Sequence, residues 1–201
     1  LLEVVEASKT EHASTQLRNV ADLAKEAGQH PLDWLLEFGI AEDFGTLFSV
    51  QVLNADEDQV VKLLIDPHTT IALSDAGAHI SLFCDAGFGL HLLGRWVRER
   101  GDLTLEDAVH ALTGQPAEIF GIPERGQILP GYWADLLLLD PETVNRGPKA
   151  KAHDLPAAAV RLTTPSVGLH GTWINGVRVA EGNEVLPLKT SPGQVLREFI
   201  S

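Results

Sequence analysis

Two side chains able to do chemistry, Asp75 and His79, stand in the stretch "HTTIALSDAGAHI", His68 to Ile80. The five residues Thr69 to Leu73 are β-branched or apolar, which reads as a buried strand that ends by presenting an acid and an imidazole. A carboxylate just past the C-terminal end of a parallel barrel strand lies where barrel enzymes carry their catalytic groups. Gly77 allows a sharp turn or a close backbone approach to a ligand. The same residues also admit a purely structural reading. Asp at a strand end routinely caps the next helix or forms an Asx turn, and a lone His is commonly a hydrogen-bonded structural residue. Spacing alone leaves both readings open.

Other chemistries find no support. The eight histidines, His12, His30, His68, His79, His91, His110, His153 and His170, include no His-x-His and no pair at i and i+4. No complete metal site is therefore expected within this chain. There is no G-x-S-x-G nucleophile elbow. "DAGFGLH" imitates a glycine-rich phosphate loop, but its spacing is wrong and no lysine follows.

The elements that would position Asp75 are legible around it. "LRNVADLAKEAG" repeats apolar residues at helical spacing and stops at Gly28, and "HPLDWLLEFGI" starts a second helix with Pro31 in its first turn. "GTLFSVQVL" reads as a strand, and "NADEDQVVKLLIDP" as a helix capped by Asn54 with Val60, Val61 and Leu64 on one face. Strand, helix, then Thr69 to Ser74 make a βαβ unit, which predicts parallel strands. "GFGLHLLGRWVRERGDL" and "TLEDAVHALTGQPAEIFGI" follow as helices, the second capped by Thr104 with Asp107 at the capping-box position, and a short helix restarts at Pro116. From Gly126 the texture becomes strand-like. The run Leu136 to Leu139 and a hairpin with Asn175-Gly176 at its tip indicate a small β domain, with "NRGPKAKAHDLPAAA" as loop between its strands.

Composition narrows the partners. A net charge of -13 and few, scattered basic residues exclude a nucleic-acid surface, which needs clustered Lys and Arg. No apolar run approaches the roughly 20 residues needed to cross a bilayer. The one cysteine, Cys84, excludes an internal disulfide and fits a reducing, cytoplasmic setting. With no methionine at all, the chain reads as a piece or processed product of something longer.

"LTLEDAVHALTGQPAEIFGIPERGQILPGYWADLLLLDPETV", residues 103 to 144, resembles the carboxy-terminal signature of the amidohydrolase superfamily through Thr113, Pro116, Ala117, Gly121, Gly126, Ile128, Gly131, Ala134 and Asp135. "ALSDAGAH", "LGRWVRERGDLTLEDAV", "HDLPAAAVRL" and "WINGVRV" are similar to its N-acyl-D-amino-acid deacylase (D-aminoacylase) branch. The resemblance implies an α/β fold: the C-terminal part of a (β/α)8 TIM-type barrel over residues 1-123, then a small β-sandwich domain and tail over 124-201. It implies zinc-dependent hydrolysis of the amide bond of N-acyl-D-amino acids, with the zinc ligands upstream of this chain. Asp75 matches the family's aspartate after the eighth strand, adjacent to zinc, whose implied role is to take a proton from zinc-bound water and deliver it to the leaving amine. His79 matches the substrate side of that neighbourhood loosely.

Two other functions remain consistent with the sequence. The chain could be a catalytically inert structural or interaction module, covered by a missing N-terminal half or by self-association into a homo-oligomer, because a partial barrel exposes strand edges. Within the superfamily, cyclic amide hydrolysis of the hydantoinase or dihydroorotase kind shares the same signature.

Overall fold

The computed structural model describes residues 2–50, 53–72, 74, 76 and 84–200. They form two compact units, Leu1–Val60 and Val61–Ser201.

In the first unit, β1 (Leu2–Glu6) pairs antiparallel with both β2 (Arg18–Asn19) and β3 (Leu47–Val50), giving the order β2-β1-β3. Two helices lie between β2 and β3 in sequence. α1 (Val20–Glu26) starts where the Asn19 side chain accepts the Ala21 N–H at 2.8 Å. It ends at Gly28, whose φ of +68° lets the Gln29 N–H reach back to the Ala24 carbonyl. α2 (Pro31–Ala41) carries Pro31 in its first turn as expected, and its cap is unusual: the His30 Nδ1 accepts the Leu32 N–H at 3.2 Å. Val4, Val20, Leu23, Ala24, Trp34 and Phe38 form the core, with Trp34 and Phe38 stacked at 4.6 Å. Their burial is the principal favourable term holding this unit.

α3 (Glu57–Leu64) spans the boundary between the units. Its cap is Asp56, whose Oδ1 accepts the Asp58 and Gln59 N–H groups at 3.1 and 3.3 Å. Asn54, the cap expected from the sequence, lies two residues earlier in a left-handed turn at φ +53°, out of register with the first helical N–H groups.

The expected strand after α3 is also different. Thr69, Thr70, Ile71 and Ala72 carry no strand ladder, and every strand pairing among the described residues is antiparallel. A parallel strand needs ladder bonds to flanking strands, and among the described residues none pairs with 69–72.

Next, α4 (Phe88–His91) runs into a π-helix, Leu92–Glu99, where the sequence predicted one regular helix. Leu92, Leu93 and Trp96 are buried on it. Gly94 lies against Asn145 so closely that a Cβ would sit 2.5 Å from that side chain. α5 (Leu105–Leu112) has the expected Thr104 cap, its Oγ1 accepting the Asp107 N–H at 3.1 Å. The box is not reciprocal. The short Asp107 carboxylate instead accepts a hydrogen bond from the Thr104 hydroxyl at 2.7 Å. α6 (Gly114–Ile119) begins two residues before Pro116.

The strand-rich remainder comprises β4 (Leu136–Leu139), β5 (Asn145–Arg146), β6 (Ala150–Ala152), β7 (Arg161–Thr163), β8 (Ser166–Val167), β9 (Leu169–Ile174), β10 (Val177–Glu181) and β11 (Glu184–Val185). A four-stranded sheet has the order β11-β10-β9-β4, and β5-β8 and β6-β7 form two ribbons. The two ribbon strands β5 and β6 fall within the segment read from sequence as loop. The β9–β10 hairpin turns at Asn175 (φ +49°) and Gly176 (φ +78°), the positive pair a two-residue turn requires. β4 is the sheet edge, and its Leu136, Leu137 and Leu138 are exposed.

Candidate functional site

Asp75 and His79, the two residues singled out by the sequence, lie outside the described residues, as does Gly77. What the structure describes is how the second unit grips both flanks of their segment. On the upstream side, the Thr69 N–H donates to the Asp66 carbonyl at 3.1 Å, and its hydroxyl donates to the carbonyls of Leu63 and Asp66. The Thr69 carbonyl in turn accepts from Gln115 Nε2 on α6 at 3.3 Å. Further along, the Ala76 N–H donates to Ser74 Oγ at 3.3 Å.

Downstream, Cys84 is buried and its carbonyl accepts the Thr164 hydroxyl at 3.3 Å. Asp85 stands 3.8 Å from Arg146 and 4.0 Å from Lys149. Thr69 is thereby bonded to α6, and Cys84 and Asp85 face the β5–β8 neighbourhood.

The superfamily signature resolves into packing contacts around that scaffold. Gly126 (φ +80°) packs against Thr113, Gly114 and Ala117 at the start of α6, where a Cβ would meet the Ala117 Cβ at 2.6 Å and the Thr113 carbonyl at 2.8 Å. Asp135 accepts from Arg125 Nε and from the Asn175 N–H, both at 2.8 Å, and the Ala134 carbonyl accepts the Gly176 N–H at 2.9 Å. Arg125 also lies over Trp133 at 5.1 Å. The signature thus locks α6 and the hairpin tip; it is architectural.

One charged residue escaped the sequence reading. Glu42, at the C-terminal end of α2, is buried, with 1% exposure. Its carboxylate accepts from the Ser8 and Lys9 N–H groups, from the Thr46 hydroxyl at 3.1 Å and from His12 Nδ1 at 2.5 Å. Burial pushes its pKa up, but the bonds from His12, Ser8 and Lys9 outweigh this and bring it down to about 2. No local pattern betrays it, because its partners Ser8, Lys9 and His12 lie 30 to 34 residues away in the chain.

Among the described residues, no group of three or more His, Cys, Asp or Glu side chains is placed to hold a metal ion. Nor is any helix there long and apolar enough to cross a membrane.

Residues 4–180 match the model of a family described as "Amidohydrolase family". The chain belongs to the amidohydrolase family. Among curated relatives, this amidohydrolase chain is 36% identical over 128 residues to an N-acyl-D-glutamate deacylase of Alcaligenes xylosoxydans xylosoxydans, covering 64% of this chain and 23% of that one. It is 30% identical over 166 residues to a D-aminoacylase of the same organism, covering 81% and 30%. Among solved structures, it is similar to N-acyl-D-glutamate deacylase from Bordetella bronchiseptica, a complex with zinc and a phosphonate mimic of the tetrahedral intermediate. That likeness has TM-score 0.53 and 28% identity, and covers 98% of this chain and 37% of the other. The chain therefore spans less than a third of the length of these curated relatives.

Proposed function

We propose that this chain is the carboxy-terminal portion of a zinc-dependent amidohydrolase that removes the acyl group from N-acyl-D-amino acids. The observation that carries this is the similarity over 98% of the chain to a deacylase structure holding zinc and a mimic of the hydrolytic intermediate. In that reading residues 1-123 contribute to a (β/α)8 barrel and 124-201 form a small β-sandwich. The antiparallel sheet β11-β10-β9-β4 with its two ribbons supports the latter assignment. The exposed leucines of the β4 edge support further polypeptide, the N-terminal half or a second copy, covering that strand. The setting is the cytoplasm and the partner a small acylated amino acid.

In this reading the zinc ligands are contributed by the rest of the enzyme. The part assigned to this chain is proton transfer. Asp75 takes a proton from the attacking water as its oxygen bonds to the acyl carbon, then returns that proton to the amine nitrogen as the C–N bond breaks. His79, four residues on, is assigned to the substrate side.

The test uses the full-length enzyme, with N-acetyl-D-glutamate, N-acetyl-D-aspartate and their L-isomers as substrates. Hydrolysis restricted to the D-isomers with stoichiometric zinc is the expected result. Asp75→Asn should lower kcat by about 10²–10⁴-fold, the usual range for general acid–base groups, with zinc retained. His79→Ala should act mainly on KM. Near-normal turnover in Asp75→Asn removes its role, and absence of amide hydrolysis in the wild type removes the proposal.

A further inference from the structure

We propose that residues 7–17 form a strap latched onto the C-terminal end of α2 by the single buried carboxylate of Glu42, and that the strap opens and closes as a unit while the rest of the first unit stays folded.

The strap joins the antiparallel strands β1 and β2 and contains a 3₁₀ segment, Thr10–Thr15. No residue of 7–17 is buried, so apolar burial does little to hold it. Its one ring contact is His12 with Phe38, centroids 5.3 Å apart. What holds it is polar and converges on one place. The Ser8 N–H, the Lys9 N–H and the His12 ring all donate to the Glu42 carboxylate, and the Ser8 hydroxyl donates to the Glu42 carbonyl at 2.9 Å. Lys9 Nζ adds the Ala41 carbonyl and Asp43, the latter at 2.8 Å. A segment with little buried apolar surface, tied down at one polar point, is the kind that opens locally before its unit unfolds.

The ends of the strap are anchored independently of the latch. Val4 and Val20, in β1 and just after β2, are buried in the core, and the register Glu3↔Asn19 and Val4↔Arg18 fixes the strands between them. At the downstream end the Leu17 N–H donates to the Val4 carbonyl, and Leu17 itself turns at φ +57°. The strap also passes so near Gly45 that a Cβ there would stand 2.7 Å from the Ser8 Cβ. The latch selects the state of His12 as well. An ionised carboxylate only accepts, so the closed strap keeps a proton on Nδ1 and leaves Nε2 facing Glu11 at 4.0 Å.

The charged groups around the latch are His12, Lys9 and Glu11 on the strap and Asp43 beside Glu42. Glu42 is held ionised in the closed state, so opening takes up a proton on it and is favoured as pH falls from about 4.5 toward 2.

Amide hydrogen exchange on this chain tests the strap. In Glu42→Gln one of the two accepting oxygens becomes an NH2 group facing groups that themselves donate, and protection of the Ser8 and Lys9 amides should fall about tenfold or more while the Ala27 amide at the end of α1 changes less than about twofold. In the wild type, corrected for intrinsic exchange, the same two amides should lose protection between pH 4.5 and 2.5 ahead of Ala27. Unchanged protection in Glu42→Gln, or strap and α1 amides moving in step, overturns the proposal. Should Glu42→Gln fail to fold, the wild-type pH series decides by the same two outcomes.

Discussion

Replacing Gly126 with alanine separates two costs that the signature glycines impose. At Gly126 the backbone sits at φ +80°, and an added Cβ would stand 2.6 Å from the Ala117 Cβ, 2.8 Å from the Thr113 carbonyl oxygen and 3.2 Å from the Gly114 Cα. Two of those three atoms are backbone at the start of α6, so rotating a side chain cannot relieve them. The left-handed conformation costs an L-residue about 1–3 kcal/mol. Overpacking against fixed atoms adds about 1–3 kcal/mol. Gly131 is the internal control: its φ is +91°, and a Cβ there meets nothing within 4 Å. Gly131→Ala should therefore cost the conformational part alone.

The assay is urea unfolding at neutral pH, followed by far-UV circular dichroism and tryptophan fluorescence. Gly126→Ala is expected to be less stable than Gly131→Ala by about 1–3 kcal/mol. At roughly 2–4 °C per kcal/mol for a chain of this size, thermal melts should order the two variants the same way. Equal stabilities, or a more damaging Gly131→Ala, would refute the claim that Gly126 is required by close approach as well as by its backbone angle.

Two further predictions rest on other parts of the fold. Because burial is outweighed by the hydrogen bonds from His12, Ser8 and Lys9, Glu42 has a folded pKa of about 2 against 4.5 unperturbed. Its contribution to the first unit is then complete above about pH 4.5 and is lost as pH falls toward 2, which acid unfolding monitored at Trp34 in single-tryptophan protein should show and Glu42→Gln should abolish. Thr104→Ala removes the acceptor for the Asp107 N–H and should destabilise α5 by about 1 kcal/mol in denaturant titrations, with Thr104→Ser restoring most of it.

What was legible in the sequence was local. Pro31 at the head of α2, Gly28 after α1, Thr104 as a cap and Asn175-Gly176 in a hairpin each act through their own backbone geometry, so residue type suffices to read them. The failures involve competition or distance. Asn54 lost its cap to Asp56 because both are good caps and register decides between them. Thr69 to Ala72 has strand composition, yet strand formation depends on a partner strand that composition does not supply. Glu42 reads as one acid in an acidic chain; only the return of Ser8, Lys9 and His12 to α2 makes it a buried anion. Asp75 and His79 were named from sequence and resemblance and lie outside the described residues.

Under the proposed function, the signature and the chemistry would be connected through α6. Gly126 and Ala117 seat that helix, and Gln115 on the same helix bonds the carbonyl of Thr69, six residues before Asp75. A Cβ at Gly126 that displaces the first turn of α6 also pulls on that bond. In the full-length enzyme, Gly126→Ala should then lower kcat more than KM at temperatures well below its melting transition, whereas Gly131→Ala, with no contact to transmit, should leave kcat unchanged. If both variants keep wild-type kcat below their melting points, the signature stabilises the fold without contributing to turnover.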